Sequence, residues 1–428
     1  MNKFLDKFTE KLVVFSNFKT VMALKDGAMY IMPITLVGSI FLLIANFPIS
    51  NWAGIMTNIF GESWNIGLKQ VSACTFDIMA IIAVLGISYT FAKNEGVDAI
   101  SCSLLCLVSF LIITNSSVVS QNGDVVNGVI PKAWVNGNGV ISAIIIGITM
   151  PRIFTFFIKR KIVFKMPDGV PEGVSNAFAA LIPGFVIMLI SMAAYQICKM
   201  AAGLSLTEII FKVIQAPLQS LSDTLPGGLI IILLMSLLFW VGMHGPNIVN
   251  GIVSSLLLAN AMSNQAILDA GQALVVNENA KIITKQFTEN FAKFGGTGIT
   301  LGLIIAAFIV ARSQQMKSIC RMSFIPGLFN VNEPVIFGLP IVLNPIMLVP
   351  FILVPVGAVI ITYCAIRFGF MQPFGGLILP WTTPPIIGGF LLGGIRGAIT
   401  QLVILVYSVI VYLPFVKMQD DLFLKEEK

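Results

Sequence analysis

The sequence predicts an all-α polytopic membrane protein, with about ten transmembrane helices plus re-entrant hairpins and interfacial amphipathic helices. Three observations carry that expectation. Of 428 residues, 57% are hydrophobic and only 11% charged, whereas soluble domains carry about 25% charged residues. Apolar stretches recur at the length a bilayer demands of a helix, roughly 20 residues. They alternate with short polar loops, and the ~10-residue alternating pattern of a β-barrel is not seen.

The elements follow in order. Residues 1–20 place Phe4, Phe8, Leu12, Phe15 and Phe18 on one helical face among lysines, which reads as an amphipathic helix on an anionic leaflet. Spans are expected at 28–48, 73–92, 99–115, 138–158 and 177–199. The intervening stretches 46–72 and 116–136 carry little positive charge, while 159–172 is strongly basic. The positive-inside rule then places the N-terminus in the cytoplasm. Residues 205–222 form a second amphipathic stretch (Leu206, Ile210, Val213, Ile214, Pro217, Leu221), suited to joining two bundles along the interface.

The second half is broken. Spans near 228–243, 247–262, 296–312, 341–366 and 387–414 are separated by the polar or irregular segments 263–295, 322–340 and 367–386. Irregular backbone at membrane depth is tolerated only inside protein or along a cavity, so re-entrant hairpins are expected. Discontinuous helices point to a transporter's binding site. Residues 1–204 therefore read as scaffold, 205–222 as linker and 223–428 as the substrate-handling half, with both termini cytoplasmic.

The net charge of +6 does not point to nucleic acid. Its basic residues gather at the N-terminus (Lys3, Lys7, Lys11, Lys19, Lys25), at Lys159–Lys161 with Lys165, and at Arg312, Lys317 and Arg321, as topology requires. Six cysteines include no Cys-x-x-Cys pair and accompany a single histidine, so no metal site is expected and the thiols read as free and buried. No cofactor is implied and no cleavable signal peptide is expected, because the first apolar run follows a long charged segment.

Two ionisable groups stand out. Glu333 lies in Phe329-Asn330-Val331-Asn332-Glu333-Pro334-Val335-Ile336-Phe337-Gly338, and His244 in Phe239-Trp240-Val241-Gly242-Met243-His244-Gly245-Pro246-Asn247. An intramembrane carboxylate usually faces a protein interior or a watery cavity. Burial disfavours its charged form, and such a group can take a proton from a substrate hydroxyl as a general base. The plainer role is a structural carboxylate. His244 can hydrogen-bond the same oxygen or share a proton; alternatively it is a satisfied buried group.

Neutral polar residues complete a candidate sugar site. Asn332 and Asn247 offer amide donors and acceptors. Gly295-Gly296-Thr297-Gly298 opens a span, where helix-start N–H groups can meet hydroxyls, or forms a mere flexible junction. Trp381, in Trp381-Thr382-Thr383-Pro384-Pro385, can stack on a pyranose face or anchor the interface. Thr383 and Asn138, the latter at a span start in the first half, are weaker candidates. No Gly-x-x-x-x-Gly-Lys-Ser/Thr tract, intramembrane Arg/Lys run or row of acidic residues across spans marks an ATPase, a voltage sensor or an ion relay.

Three tracts resemble the membrane (IIC) component of bacterial phosphotransferase-system sugar permeases: the Asn-Glu-Pro tract at 329–338, the segment Trp240–Gly245, and Pro167-Asp168-Gly169-Val170-Pro171-Glu172-Gly173-Val174. The chain resembles the lactose/cellobiose/diacetylchitobiose group of these permeases, and the resemblance runs over essentially the whole chain, including Asp26-Gly27. It implies import of a β-linked disaccharide with phosphorylation at its C6 hydroxyl. The phosphate would come from a phosphocysteine on a separate cytoplasmic IIB protein, charged in turn by IIA. By resemblance Glu333 matches the catalytic glutamate, His244 the histidine beside it, and Trp381, Asn332 and Thr297 positions around the sugar. A homodimer built on the first five spans and a mobile second half in a bacterial plasma membrane are further implications. The rival readings are a proton-coupled sugar transporter with Glu333 and His244 as proton sites, and a transporter-like sensor that binds sugar without uptake.

Overall fold

Long apolar runs form helices here because a helix satisfies every backbone N–H and C=O within its own segment. The computed structural model describes residues 19–47, 51–120, 124–167, 169–242, 244–339 and 341–426. The amphipathic helix expected over 1–20 lies almost wholly outside them. Among the described residues seven helices are long and apolar enough to cross a membrane: Lys19–Ala45, Ile66–Glu95, Gly137–Lys159, Glu172–Ala202, Gly245–Asp269, Pro345–Arg367 and Ile387–Glu426. Leu206–Ser222 and Leu225–Trp240 form a broken pair, and Ala99–Ile112 and Thr300–Val310 are shorter apolar helices. The expected all-α polytopic architecture is therefore present.

The chain divides into two compact units. The first takes the chain up to Gly38 with Ala73–Ser220 and Asn250–Ala259. It contains α1 (Lys19–Ala28), α2 (Met79–Glu95), α3 (Ala99–Ile112), α4 (Val140–Lys159) and α5 (Leu181–Ala202). Helix α2 packs against α1, α3 and α4, and α3 against α5. Small residues let backbones approach in such bundles: a Cβ on Gly86 would stand 2.4 Å from the Gly27 carbonyl oxygen. Hydroxyl pairs hold buried contacts, with Ser109 and Ser191 2.7 Å apart and Thr114 and Thr207 3.0 Å apart. Ser205 and Glu208 form a capping box that starts the helix Leu206–Ile210.

Two stretches expected as loops carry structure. Within 116–136, β1 (Ser117–Val119) pairs antiparallel with β2 (Val125–Asn127) in the register Ser117↔Asn127. Within 46–72 a helix runs from Trp52 to Phe60, and the Trp52 indole donates to the Ile44 carbonyl at 2.7 Å.

The second unit comprises Ser39–Ser72, Leu221–Val249 and Asn260–Lys428. Its helices include Trp52–Phe60, α6 (Leu225–Trp240), the ends of α7 (Gly245–Asp269), α8 (Thr300–Val310), α9 (Gln314–Leu328), α10 (Glu333–Gly338), α11 (Pro345–Arg367) and α12 (Ile387–Glu426). Helix α11 packs between α6 and α12, and α8 lies against α12 and α9. Gly393 and Gly394 leave helical geometry and kink α12. Near its far end Asp420, 2% exposed, accepts from the N–H groups of Arg312 and Ser313 and from the Ser313 hydroxyl. That carboxylate joins α12 to the start of α9. The irregular stretch 374–378 is held by side chains. Asn264 donates to the Phe374 carbonyl, Gln286 to those of Gly375 and Leu377, and the Ser39 hydroxyl accepts from the Ile378 N–H at 2.9 Å.

Candidate functional site

Three irregular segments of the second unit converge. The first precedes α8. A π-helix, Phe287–Ala292, gives way to a turn in which Gly295, Gly296 and Gly298 all have positive φ. Glycine is needed at Gly296 twice over: its φ is +87°, and a Cβ there would meet Asn332 Cγ at 2.3 Å. Without that Cβ the Asn332 amide reaches across and donates to the Thr297 carbonyl at 2.8 Å. The turn is buried throughout.

The second segment follows α9. Pro326 lies in its last turn, and Asn330 ends it in the left-handed conformation with φ 65°, a position that favours glycine or asparagine. Asn332 is the residue before α10, and Glu333 with Pro334 opens it. A proline suits a first turn, whose N–H groups have no helical partner, and an acidic residue is favoured there by those same groups.

The third segment is the tip Trp381–Thr383. The Asn330 Nδ2 donates to the carbonyls of Trp381 and Thr383, at 2.5 and 2.9 Å, and its Oδ1 accepts from the Gly295 N–H at 2.5 Å. Gln401, 1% exposed, fixes the chain beyond the tip by accepting from the Ile386 and Gly389 N–H groups and donating to the Asn290 carbonyl.

The expected site residues fall out as follows. Gly295, Gly296, Thr297, Asn332, Glu333, Trp381 and Thr383 are gathered by these three segments. Asn332 is buried, whereas Glu333 is exposed and makes no hydrogen bond or ion pair among the described residues. The expectation for this carboxylate is a protein interior or a watery cavity; in this short stretch the inward place goes to the amide one residue earlier. The Gly295 N–H is engaged by Asn330, so the turn does not present that donor to a ligand. The Thr383 hydroxyl donates to the Pro380 carbonyl of its own loop at 2.7 Å. Trp381 keeps 48% of its surface exposed, leaving its indole open.

His244 is also exposed and caps α7, its Nδ1 accepting weakly from the Asn247 N–H at 3.4 Å. His244 and Glu333 are not hydrogen-bonded to each other. An aromatic chain links the histidine toward the glycine turn: its ring centroid is 5.1 Å from Phe239, and Phe239 is 6.2 Å from Phe351. Phe351 in turn packs where a Gly298 Cβ would stand, and the buried Tyr412 hydroxyl donates to the Gly298 carbonyl at 2.7 Å. The Asn247 side chain is exposed at the start of α7. Asn138 belongs to the first unit, where its N–H donates to Asn136 Oδ1 at 2.9 Å.

Sequence reasoning passes over Asn330, Gln401 and the Lys293–Glu289 ion pair (2.7 Å), which lies just before the glycine turn. The Asn-x-Asn spacing within an apolar tract was the available signal for Asn330. Among the described residues no three His, Cys, Asp or Glu side chains gather as a metal site.

The phosphotransferase system EIIC family profile matches residues 25–355. The chain is 38% identical to the lichenan permease IIC component of Bacillus subtilis (strain 168) over 414 residues, spanning 95% of this chain and 90% of that protein. It is 36% identical to the cellobiose-specific EIIC component of Geobacillus stearothermophilus, spanning 95% and 91% of the two chains. The crystal structure of ChbC, the IIC component of an N,N'-diacetylchitobiose-specific phosphotransferase system, superposes with a TM-score of 0.93 at 37% identity, covering 99% of both chains.

Proposed function

The chain belongs to the phosphotransferase system EIIC family, and from that premise we propose that it imports a β-linked disaccharide coupled to phosphorylation of the sugar's C6 hydroxyl. It is a multi-pass membrane permease component of a sugar phosphotransferase system, and components of this family take part in phosphotransfer as part of a complex. The substrate class proposed is that of cellobiose, diacetylchitobiose or lactose. Relatives named for cellobiose, lactose and diacetylchitobiose support it.

In the proposed reaction the sugar C6 oxygen attacks the phosphorus of a phosphocysteine on a separate IIB protein, itself charged by IIA. The O–P bond forms, the S–P bond breaks, and the cysteine leaves as thiolate. Glu333 takes the hydroxyl proton as general base, and His244 hydrogen-bonds the reacting oxygen. Phosphoryl transfer is otherwise a matter of positioning and charge. Trp381 stacks on a pyranose face, with Asn332, Thr297, Gly295, Gly296 and Thr383 shaping the wall around it; Asn247 and Asn138 are weaker candidates. The product gains a dianion, which an apolar barrier retains. Residues 1–204 act as scaffold and dimer interface, 205–222 as linker and 223–428 as the transport half, in a bacterial plasma membrane with both termini cytoplasmic.

The observation that carries this reading is the meeting of the glycine turn, the Asn330–Glu333 tract and the Trp381 tip, with an open carboxylate and an open indole at their edge. The test uses the full chain in proteoliposomes with phosphorylated IIB. Wild type should release phosphorylated disaccharide; Glu333→Gln should still bind sugar but lose at least ~100-fold in phosphotransfer, the usual scale of a general base. Undiminished phosphotransfer by that variant removes the base assignment. Accumulation of unmodified sugar on a proton gradient replaces the whole reading with proton-coupled transport.

A further inference from the structure

We infer that Asn330 is the positioning residue of the sugar site, a single amide that locks the Trp381 tip to the glycine turn and so sets where the indole meets the ring. The inference rests on the proposed reading of Trp381 as a sugar platform.

The geometry assigns each polar atom of this side chain a partner. The two Nδ2 donors meet the carbonyls of Trp381 and Thr383, and Oδ1 meets the Gly295 N–H. These partners lie 51, 53 and 35 residues away in sequence. An asparagine amide offers two donors and an oxygen acceptor, so one residue satisfies two backbone acceptors and one backbone donor. No other natural side chain of this length does so: aspartate turns the donor face into an acceptor, and leucine offers neither. The bonds are to backbone, which leaves the Trp381 indole, 48% exposed, available to a ligand while its main chain is held. Backbone conformation matches the role, because φ 65° is tolerated by asparagine better than by most residues. The side chain therefore acts on a sugar through Trp381 and the turn, without needing to touch it.

Two variants separate this from a general structural role. Asn330→Gly keeps the left-handed backbone at no cost and removes the amide. Asn330→Asp keeps the acceptor for Gly295 and sets oxygen against the two carbonyls. In the sugar-free full-length protein, hydrogen exchange should rise about tenfold in peptides covering 293–299 and 380–386, and remain at wild-type rates elsewhere. Affinity for cellobiose, or for whichever of cellobiose, lactose and diacetylchitobiose the wild type binds, should fall about tenfold, the scale set by unmaking such bonds. With phosphorylated IIB the loss should appear in KM, with kcat at saturating sugar within about twofold of wild type. Wild-type exchange in Asn330→Asp, exchange raised throughout the bundle, or a fall in kcat at unchanged KM each overturns the inference. Failure of the wild-type protein to bind any of the three disaccharides sinks the substrate reading alone, and the exchange measurement still decides the clamp.

Discussion

A single missing methyl group makes room for the buried amide beside the glycine turn. Gly296→Ala would force a Cβ to within 2.3 Å of Asn332 Cγ at a φ of +87°, displacing the Asn332–Thr297 bond. Strain at such a φ and overpacking each cost on the order of 1–3 kcal/mol. The variant should therefore lose about 2–6 kcal/mol of stability, read as a lower thermal midpoint in detergent, with sugar affinity falling alongside. A wild-type midpoint would mean Asn332 moves aside freely. The same residue pair shows what a sequence can and cannot disclose. Glu333 was conspicuous because a carboxylate in apolar sequence is rare. The partner of Asn332 was invisible, since the carbonyl it meets is 35 residues away and carries no side-chain signature. Which of Asn332 and Glu333 turns inward depends on one residue of register at the start of α10, which composition does not encode.

Among the elements, α9 depends on a residue of another helix. Its first residues hang from Asp420 of α12 through the Arg312 and Ser313 N–H groups and the Ser313 hydroxyl. Its far end delivers Asn330 and Glu333. Asp420→Ala leaves two backbone donors without their acceptor, so we expect a loss of about 2–5 kcal/mol, seen as a lower unfolding midpoint. Activity of the surviving folded fraction at saturating sugar should stay near wild type; a specific loss of turnover would show that α9 transmits the change to the site. Spans were legible because about 20 apolar residues have few other fates. The irregular segments around 295–298, 329–334 and 381–385 were legible as Gly- and Pro-rich breaks. The helix Trp52–Phe60 and the strands β1 and β2 were not, because each is short, and an element of a few residues carries too little periodicity to separate it from a loop.

At the scale of the molecule the charge pattern makes an orientation testable. Cysteines placed singly at Asn127 and Lys161, in a background lacking the six native thiols, should differ in reaction with a membrane-impermeant maleimide. Asn127→Cys should label in intact cells and Lys161→Cys only after permeabilisation, as the basic 159–165 segment demands. The opposite pattern would invert the proposed topology. The division of the chain also mixes early and late sequence: Ser39–Ser72 clusters with residues beyond Leu221.

The bond from the Ile378 N–H to the Ser39 hydroxyl joins positions 339 residues apart. During synthesis the serine leaves the ribosome first and waits, at a bacterial pace of ~5–20 residues per second, for tens of seconds until its partner is translated. The early segments are threaded into the bilayer long before the stretch around Ile378 exists to be fastened. A nascent chain that stalls in that interval leaves this late closure unmade, the kind of half-built product that membrane quality-control proteases remove.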